Sequence, residues 1–551
     1  MEMFKSKTSL SVWLLCMAAA ALILSWPFFS TASWETLDTI FHLNRIEGIK
    51  ESLAVGDLPM RINGFTFNGY GTPIGIMYPD LLLYFPAVLR LFDIPIGLSY
   101  NLFWIFTVWL GLAMVWRGFT LWNGDVAAGG VAALLYGSSF VMMIHYGMSP
   151  GDYPAMCSLP LVFGSLKAVF SRNTRYWVEY AAAFTVAAES HVLTTLVICL
   201  VSLFFLLYYH RKLRTDKQIR SAAAKAALFC LLLNVWRYVP LAYFYHTINF
   251  QIFAAPWSHS LAEVTSNWPS LVKSQFFIGY HIVLLVIFFV WHKTTRRNVG
   301  WWVSVCFLAL LTSMLWQAFP WRQVEALFPD EFFLARTFQY PLRFLIFGLV
   351  FVCCYLGRFV LTVMGKYAVA IGIFSALYGV FCAMCCPWYF FGNEPQTQGL
   401  GVKRIYESIP SYGIQEDYLY ADVGFSNLRN DKGEVLGPTD FKSEATLFDT
   451  HKRATRLTFS YTSDKDTLVT LPLIYWPGYK ATSELTDSDL PLTEDGRHIM
   501  QVVVPPGTDK VNVRYTGLWW FRVFDIISFL SLSVFIFLSV SIFLPKERRR
   551  S

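Results

Sequence analysis

Long apolar runs separated by short polar stretches make up most of the chain. A transmembrane helix needs about 20 consecutive apolar residues, and several of the runs reach that length. The first run lacks a good cleavage signature, so we expect it to remain as an uncleaved helix. The pattern predicts a polytopic α-helical membrane protein with about 12 membrane-spanning helices. These are expected at residues 10–29, 98–117, 125–144, 154–171, 177–192, 194–210, 219–245, 275–291, 299–319, 341–363, 366–390 and 519–544.

Basic residues gather in the polar stretches between the runs, and their positions predict an orientation. Lys and Arg are enriched in the cytoplasmic loops of membrane proteins. Both termini are then cytoplasmic, provided that the apolar patch 77–92 does not cross the membrane. This patch contains Pro79, Pro86 and Arg90, and we interpret it as an interfacial or re-entrant helix. Residues 31–97 then form a long first external loop.

The hydrophobic pattern changes its period near residue 392. Runs such as "TLVTLPLIYW" are β-branched or alternate with polar residues, and Gly, Pro and Asp separate them. They predict an external C-terminal β-sandwich-like domain, which folds without disulfides because residues 392–518 contain no cysteine. We therefore expect a transmembrane domain at 1–391, the β-rich domain at 392–518, and a final helix with a basic cytoplasmic tail at 519–551.

The composition agrees with a membrane protein and argues against some functions. Hydrophobic residues make up 55% of the chain and charged residues 15%, whereas soluble domains carry about 25% charged residues. The net charge of +7 resides in the loop clusters, so nucleic acid is not an expected partner. Cys382, Cys385 and Cys386 end an apolar run, where we interpret them as small buried hydrophobic residues.

The polar segment after the first apolar run is unusually rich in ionisable residues. In "WETLDTIFHLNRIEGIKESLAVGDLPMRI" (34–62), Asp38, His42 and Arg45 are spaced to share one face of a helix. A carboxylate, an imidazole and a guanidinium are groups used in acid–base chemistry and phosphate binding. The alternative is a solvated helix face with an internal ion pair.

This segment resembles the first external loop of a known superfamily. The runs "DTIFHLNR" (38–45), "GDLPMRI" (56–62) and "YP" (78–79) are similar to that loop in bacterial multispanning proteins of the GT-C superfamily. More narrowly, they resemble the group called 6-pyruvoyl-tetrahydropterin synthase-related membrane proteins, a label that does not imply pterin chemistry. Further signatures of that group are matched by "ESHVLTTL" (189–196) and "QYPLRFLIF" (339–347).

The end of the chain extends the resemblance, and one loop departs from it. "YWPGYKA" (475–481) and "VVVPPGTDKVNVRY" (502–515) resemble the C-terminal external β-domain of YfhO-type proteins. In the second external loop the group shows an Arg-Gly-Ala-x-x-Glu-like pattern, whereas this chain has "HYGMSPGDYPAM" (145–156). Asp152 then takes the acidic position, and His145 is the substitute for the missing arginine.

The resemblance implies an activity. GT-C enzymes are membrane glycosyltransferases that take sugars from polyprenyl-phosphate donors on the external face of the membrane. The chain is thus expected to be a glycosyltransferase (hexosyltransferase) of the bacterial plasma membrane. Its expected partners are the lipid bilayer, a polyprenyl-phosphate-linked sugar donor, and an acceptor that is an envelope polymer, a glycolipid or a protein.

The resemblance also implies roles for individual residues. Asp38 is the expected catalytic base for the acceptor hydroxyl. Asp152 is expected as a second acid or, with Asp38, as a ligand of Mg²⁺ or Mn²⁺ shared with the donor phosphate. No cofactor is certain, because the spacing alone does not establish a metal. The residues expected at the donor phosphate, which guanidinium groups match in a fork, are His42, Arg45, Arg61 and Arg343.

Other residues allow two interpretations, which the sequence leaves open. Glu189 and His191 lie in apolar sequence, where they line a substrate cavity or join helices by a hydrogen bond. Arg237 and Arg343 either meet substrate or only extend toward the membrane interface. Asp152 could also cap the helix that follows it.

Two rival functions come from different classes of protein. A transporter or flippase of a lipid-linked saccharide would show paired internal repeats and polar residues at mid-membrane depth, and no clear repeat is visible. A non-catalytic envelope scaffold would depend on the β-rich domain and would not need Asp38.

Overall fold

The described residues form a bundle of apolar helices followed by a β-rich domain. The computed structural model describes residues 7–30, 33–35, 38–139, 142–143, 146, 149–250, 319–328, 342–390, 402–404, 418–422 and 440–543. Among these residues, six helices are long and apolar enough to cross a membrane by length and composition. The prediction of a helical membrane protein is therefore confirmed. The span expected at 275–291, and all of that at 299–319 except its last residue, lie outside the described residues, so the total of about 12 stays a prediction.

The helices follow the apolar runs of the sequence. In chain order they are α1 (Lys7–Ser25), α2 (Thr39–Ala54), α3 (Ile74–Met77), α4 (Tyr84–Leu91), α5 (Ile96–Asn123), α6 (Val126–Gly137), α7 (Asp152–Phe170), α8 (Trp177–Ala188), α9 (Val192–Tyr208), α10 (His210–Thr215), α11 (Lys217–Thr247), α12 (Trp321–Glu325), α13 (Leu342–Met364), α14 (Ala368–Phe390) and α15 (Trp519–Phe543). Aspartate side chains cap the first turn of two of them, because a carboxylate satisfies the free N–H groups there. Asp125 caps α6 and Asp216 caps α11 in this way.

Glycines let α5 and α7 pack at very short range. A Cβ atom on Gly118 would lie 2.1 Å from the carbonyl carbon of Pro160. A Cβ atom on Gly164 would lie 2.2 Å from the carbonyl oxygen of Gly118. No side chain fits at these distances, and small residues are typical of close helix contacts in membranes. This contact fixes α7, which begins at Asp152, against α5.

The segment between α1 and α5 folds as short helices at one end of the bundle. Its α4 has eight residues and is therefore about 12 Å long. A helix of this length does not cross a hydrocarbon core of about 30 Å. α4 by itself is thus too short to span the membrane, and the position of the patch 77–92 on one side stays a prediction. In the same segment, α2 buries most of its length, including His42 and Arg45.

The described strands pair in antiparallel sheets, and all except the first lie in the C-terminal part of the chain. In chain order the strands are β1 (Ser33–Glu35), β2 (Val402–Arg404), β3 (Thr446–Arg453), β4 (Arg456–Ser463), β5 (Thr467–Ile474), β6 (Tyr479–Ser483), β7 (Asp489–Leu490), β8 (Leu492–Glu494), β9 (Ile499–Val504) and β10 (Gly507–Tyr515). One sheet has the order β3-β4-β10-β6-β7, and another has the order β5-β9-β8. Phe459 of the first and Val502 of the second belong to one buried core. The prediction of β structure here is confirmed.

The β-rich domain is bound to the segment that follows α1. The backbone N–H of Ile474 donates to the Tyr70 carbonyl at 3.0 Å. The indole Nε1–H of Trp476 donates to the Gly71 carbonyl at 3.2 Å. In addition, β1 pairs with β2 across the boundary expected near residue 392. The segment between α1 and α5 therefore lies between the bundle and the sheets. The domain boundaries and the external location of the sheets stay predictions.

The close contact of α5 with α7 can be tested by adding one methyl group. Gly118→Ala should lower the free energy of unfolding by about 1–3 kcal/mol, because the new Cβ overlaps backbone atoms that cannot move aside. Thermal unfolding of the purified protein in detergent measures the loss. Gly137→Ala is the matched control, since its Cβ meets only Leu112 Cδ1 at 3.9 Å. Equal unfolding temperatures for the two variants would contradict the packing described above.

Candidate functional site

A small polar cavity lies where four parts of the chain meet. It is bordered by α2, the turn before α4, the loop before α7 and the loop between α8 and α9. It encloses about 220 Å³ of empty space, part of which opens to solvent. Its lining residues are His42, Arg45, Pro79, Asp80, Leu82, Leu83, Pro150, Gly151, Glu189 and Ser190.

Arg45 and His42 form a buried pair on α2. Arg45 Nη1–H donates to His42 Nδ1 at 3.1 Å. Because a guanidinium only donates, His42 Nδ1 must accept, and the imidazole proton is on Nε2. Burial lowers the pKa of His42 well below its usual value, and the Arg45 charge lowers it further. At neutral pH His42 is therefore an uncharged ring with one N–H left to donate.

The guanidinium of Arg45 is held by backbone as well as by His42. Its Nη2–H donates to the carbonyls of Tyr78 and Pro79, and the group also lies over the Tyr78 ring, 4.6 Å from the centroid. Burial lowers the pKa of Arg45 to about 10, while the carboxylate of Asp80 opposes this shift. Arg45 thus stays positively charged at neutral pH. The expectation that His42 and Arg45 could form a solvated face is wrong, since they are 2% and 1% exposed.

Arg237 on α11 joins the cavity to the bundle. Its Nε–H donates to Glu189 Oε2 at 3.0 Å, and its Nη2–H donates to Asp80 Oδ1. Its Nη1–H donates to the Gly75 carbonyl at 2.7 Å and to the Tyr78 carbonyl at 3.3 Å. All three charged side chains are almost completely buried. Arg237 therefore holds the turn whose carbonyls in turn hold Arg45.

The charges around the cavity largely compensate one another. Two guanidinium groups, of Arg45 and Arg237, face two carboxylates, of Asp80 and Glu189. Burial raises the pKa of Asp80, and the Arg237 and Arg45 guanidinium groups oppose that rise. Buried charges remain ionised only when such partners are close. The cluster is thus an ionic site rather than a hydrophobic pocket.

Asp152 and His191 form a second buried contact beside the cavity. His191 Nδ1 lies 2.8 Å from Asp152 Oδ1, and Ser149 Oγ–H donates to Asp152 Oδ2 at 3.3 Å. Asp152 is the first residue of α7, and Gly151 rather than Asp152 occupies the N-cap position. Asp152 is near enough to influence the pKa of His42, which its carboxylate raises against the larger effect of burial. The structure thus brings His42, Asp152 and His191 into one region.

Asp38 and the two other predicted arginines occupy different positions. Asp38 is the N-cap residue of α2, is half-buried, and its carbonyl accepts the His42 backbone N–H at 3.0 Å. Arg61 is not at the cavity lining: its Nη2–H donates to Asp525 Oδ1 on α15 at 2.6 Å, and it stacks over Phe521. The side chain of Arg343 lies outside the described residues, as does His145.

Sequence reasoning missed Asp80. Asp80 directly follows the Tyr78-Pro79 motif, whose carbonyls accept from buried arginines. The available signal was an acidic residue next to that motif. Arg237 carried a stronger one, since an ionisable residue inside an apolar run usually faces a cavity or a partner. Their pairing spans 157 residues of sequence, so no local pattern joins them.

The carboxylates do not assemble into a metal site within the ranges that the structure describes. No group of three or more His, Cys, Asp or Glu side chains is arranged there to hold a metal ion. Asp80 and Glu189 are directed at Arg237 instead. We therefore derive no step through Mg²⁺ or Mn²⁺.

Removing the guanidinium of Arg237 tests whether it holds the site. Arg237→Gln should lower the free energy of unfolding by about 3–5 kcal/mol, because Asp80 and Glu189 are left as buried charges without a partner. The unfolding temperature in detergent is the measurement. Arg220→Gln on the same helix is the control, since Arg220 is exposed and donates only to two local carbonyls. If both variants unfold at the wild-type temperature, Arg237 does not have this role.

Comparisons with known proteins give a structural similarity. No protein-family model matches the chain, and no curated protein matches it. The chain is similar to a cryo-EM structure of the arabinofuranosyltransferase AftD from mycobacteria, with 13% identity and a TM-score of 0.42. The similarity covers 92% of this chain and 40% of that chain, so this chain spans less than half of that structure's length. This TM-score is too low to establish a shared fold.

Proposed function

We propose that the protein is a membrane glycosyltransferase of the GT-C type. It would move a sugar from a polyprenyl-phosphate donor to an envelope polymer, a glycolipid or a protein on the external face of the bacterial plasma membrane. The sequence motifs of the first polar segment support this proposal. The observation that carries it is the set of buried polar atoms at the cavity.

Three buried atoms of cavity-lining residues have no hydrogen-bond partner among the described residues. They are one donor, Arg45 Nε, and two acceptors, Asp80 Oδ2 and Glu189 Oε1. Leaving such an atom unsatisfied costs about 1–3 kcal/mol. Sugar hydroxyls donate to carboxylate oxygens, and phosphate oxygens accept from a guanidinium. A sugar phosphate therefore fits this combination better than an apolar ligand does.

The donor phosphate is assigned to Arg45 and His42. As the bond from the sugar to the phosphate breaks, the departing phosphate gains negative charge and needs fixed donors. Arg45 supplies a positive charge whose position is set by two backbone carbonyls and His42. His42 is neutral and offers Nε2–H, so it can bond a phosphate oxygen without first releasing a proton. Arg343 stays a candidate for the same role, whereas Arg61 is already bonded to Asp525.

The acceptor hydroxyl requires a base, and Asp38 remains our assignment. We assign Asp80 and Glu189 to substrate binding instead, because one oxygen of each carboxylate already accepts a hydrogen bond from Arg237. Asp38 begins α2, one helical turn before His42, and is half-buried. Asp152 would then act as the second acid, beside His191. Glu189 would serve in binding the substrate.

Asp38 can be tested in a deletion strain by comparing the sugar composition of the envelope after complementation. Wild type should restore a missing sugar, and Asp38→Asn and Asp38→Ala should not, since loss of a general base lowers the rate by about 10²–10⁴-fold. Asp93→Asn is the matched control, because Asp93 is exposed in the same segment. Membrane levels of each variant are measured in parallel by immunoblot.

The results separate the competing functions. Full restoration by both Asp38 variants at normal membrane levels would exclude Asp38 as the base and would favour the transporter or the scaffold. If Arg45→Met also restores the sugar, the cavity itself is not the site of transfer. Failure of both Asp38 variants and of Arg45→Met, with activity retained by Asp93→Asn, supports glycosyl transfer in this cavity.

A further inference from the structure

A basic patch lies where the β-rich domain meets its membrane helix. Lys480 on β6 and Arg514 on β10 are directly opposite each other in the antiparallel register, and both side chains are exposed. Like charges in this arrangement repel and destabilise a sheet. In the ranges that the structure describes, neither side chain has an ion pair or hydrogen bond. Among the described residues, no acidic side chain therefore offsets the repulsion between Lys480 and Arg514.

A third cation extends the pair toward the membrane helix. Arg522, in the first turn of α15, is 53% exposed and lies 3.8 Å from Asp525. Asp525 is the carboxylate that Arg61 already binds at 2.6 Å. Asp489 lies on the same sheet but opposite Thr482, and within the described ranges it pairs with no cation. We call Lys480, Arg514 and Arg522 the basal patch.

The basal patch lies close to the level at which α15 enters the membrane. Arg514 is five residues before the first residue of α15, and an extended chain of that length spans at most about 17 Å. The N–H of Thr516 donates to the Gly478 carbonyl at 2.9 Å, so the strand that carries Lys480 begins at the same level. Nearby, Trp519 is 79% exposed, as is typical of tryptophan at the membrane interface.

The length of α15 lets its first turns extend among lipid headgroups. The helix has 25 residues and is therefore about 37 Å long, which exceeds the hydrocarbon core of about 30 Å. Leu58, whose carbonyl accepts from Arg522 Nη1–H, is also 45% exposed. Cations next to exposed apolar side chains match the boundary between phosphate groups and acyl chains.

We infer that the basal patch binds the headgroups of anionic phospholipids in the leaflet from which α15 begins. A headgroup phosphate between Lys480 and Arg514 neutralises the repulsion between them. An anionic lipid such as phosphatidylglycerol differs from a zwitterionic one because its headgroup has no cation to offset the phosphate charge. Each basic residue near such a surface contributes about fivefold in affinity. The inference depends on the register of the sheet and the start of α15, and it is independent of the glycosyl transfer proposed above.

The test compares lipid stabilisation of the full chain and its variants. The purified protein in neutral detergent is titrated with phosphatidylglycerol or phosphatidylcholine, and thermal unfolding is followed at each concentration. Phosphatidylglycerol should raise the unfolding temperature of wild type, and Lys480→Gln/Arg514→Gln should need roughly 25-fold more of it. Lys465→Gln/Lys510→Gln is the matched control, because these cations are already paired with Glu444 and Glu484.

Each outcome decides the proposal. An unchanged response to phosphatidylglycerol in the Lys480/Arg514 variant, folded as wild type without lipid, would overturn it. Equal stabilisation of wild type by phosphatidylcholine would overturn it as well, because the patch would then not select charge. Stronger stabilisation by soluble polyphosphate than by phosphatidylglycerol would assign the patch to an anionic polymer instead. Loss of the lipid response only in the Lys480/Arg514 variant supports the proposal.

Discussion

The position of the cavity depends on the guanidinium of Arg237. Its hydrogen bonds reach two carboxylates and two backbone carbonyls. Glu189 belongs to the loop after α8, and the other three groups belong to the segment between α1 and α5. A buried arginine has no water to replace a lost partner, so all of these contacts must form together. The bundle and the segment between α1 and α5 are thereby fixed relative to each other at this point. The turn at Tyr78 is the link, because it accepts from both Arg237 and Arg45.

This arrangement explains why a polar cavity can persist at the end of an apolar bundle. Isolated buried charges carry a large desolvation cost, but here each guanidinium lies near a carboxylate. Among the described residues, the compensation leaves two carboxylate oxygens and one N–H of the cavity without partners. Such atoms are tolerated in folded proteins mainly where a ligand or ordered water satisfies them. The same charges that stabilise the cluster therefore also define what could bind beside it.

The sequence predicted the parts of this structure that depend on local pattern. Apolar run length predicts the helices, and period-2 alternation predicts strands such as β4 and β10. The spacing of His42 and Arg45 predicts that they share one face of a helix. In the structure both lie on α2 and are joined by a hydrogen bond. The contacts of Arg237 with Asp80 and of Arg61 with Asp525 span 157 and 464 residues. No periodicity encodes such pairs, because they follow from how the helices pack.

The four carboxylates of the site contact different partners. Asp80 and Glu189 each face Arg237, and one oxygen of each carboxylate holds that cation. Asp152 faces His191 instead, whose Nδ1 lies 2.8 Å from Asp152 Oδ1. Asp38 is the N-cap residue of α2 and is half-buried. The four acids at this end of the bundle therefore have different surroundings, and the proposed division between substrate binding and proton transfer follows those differences.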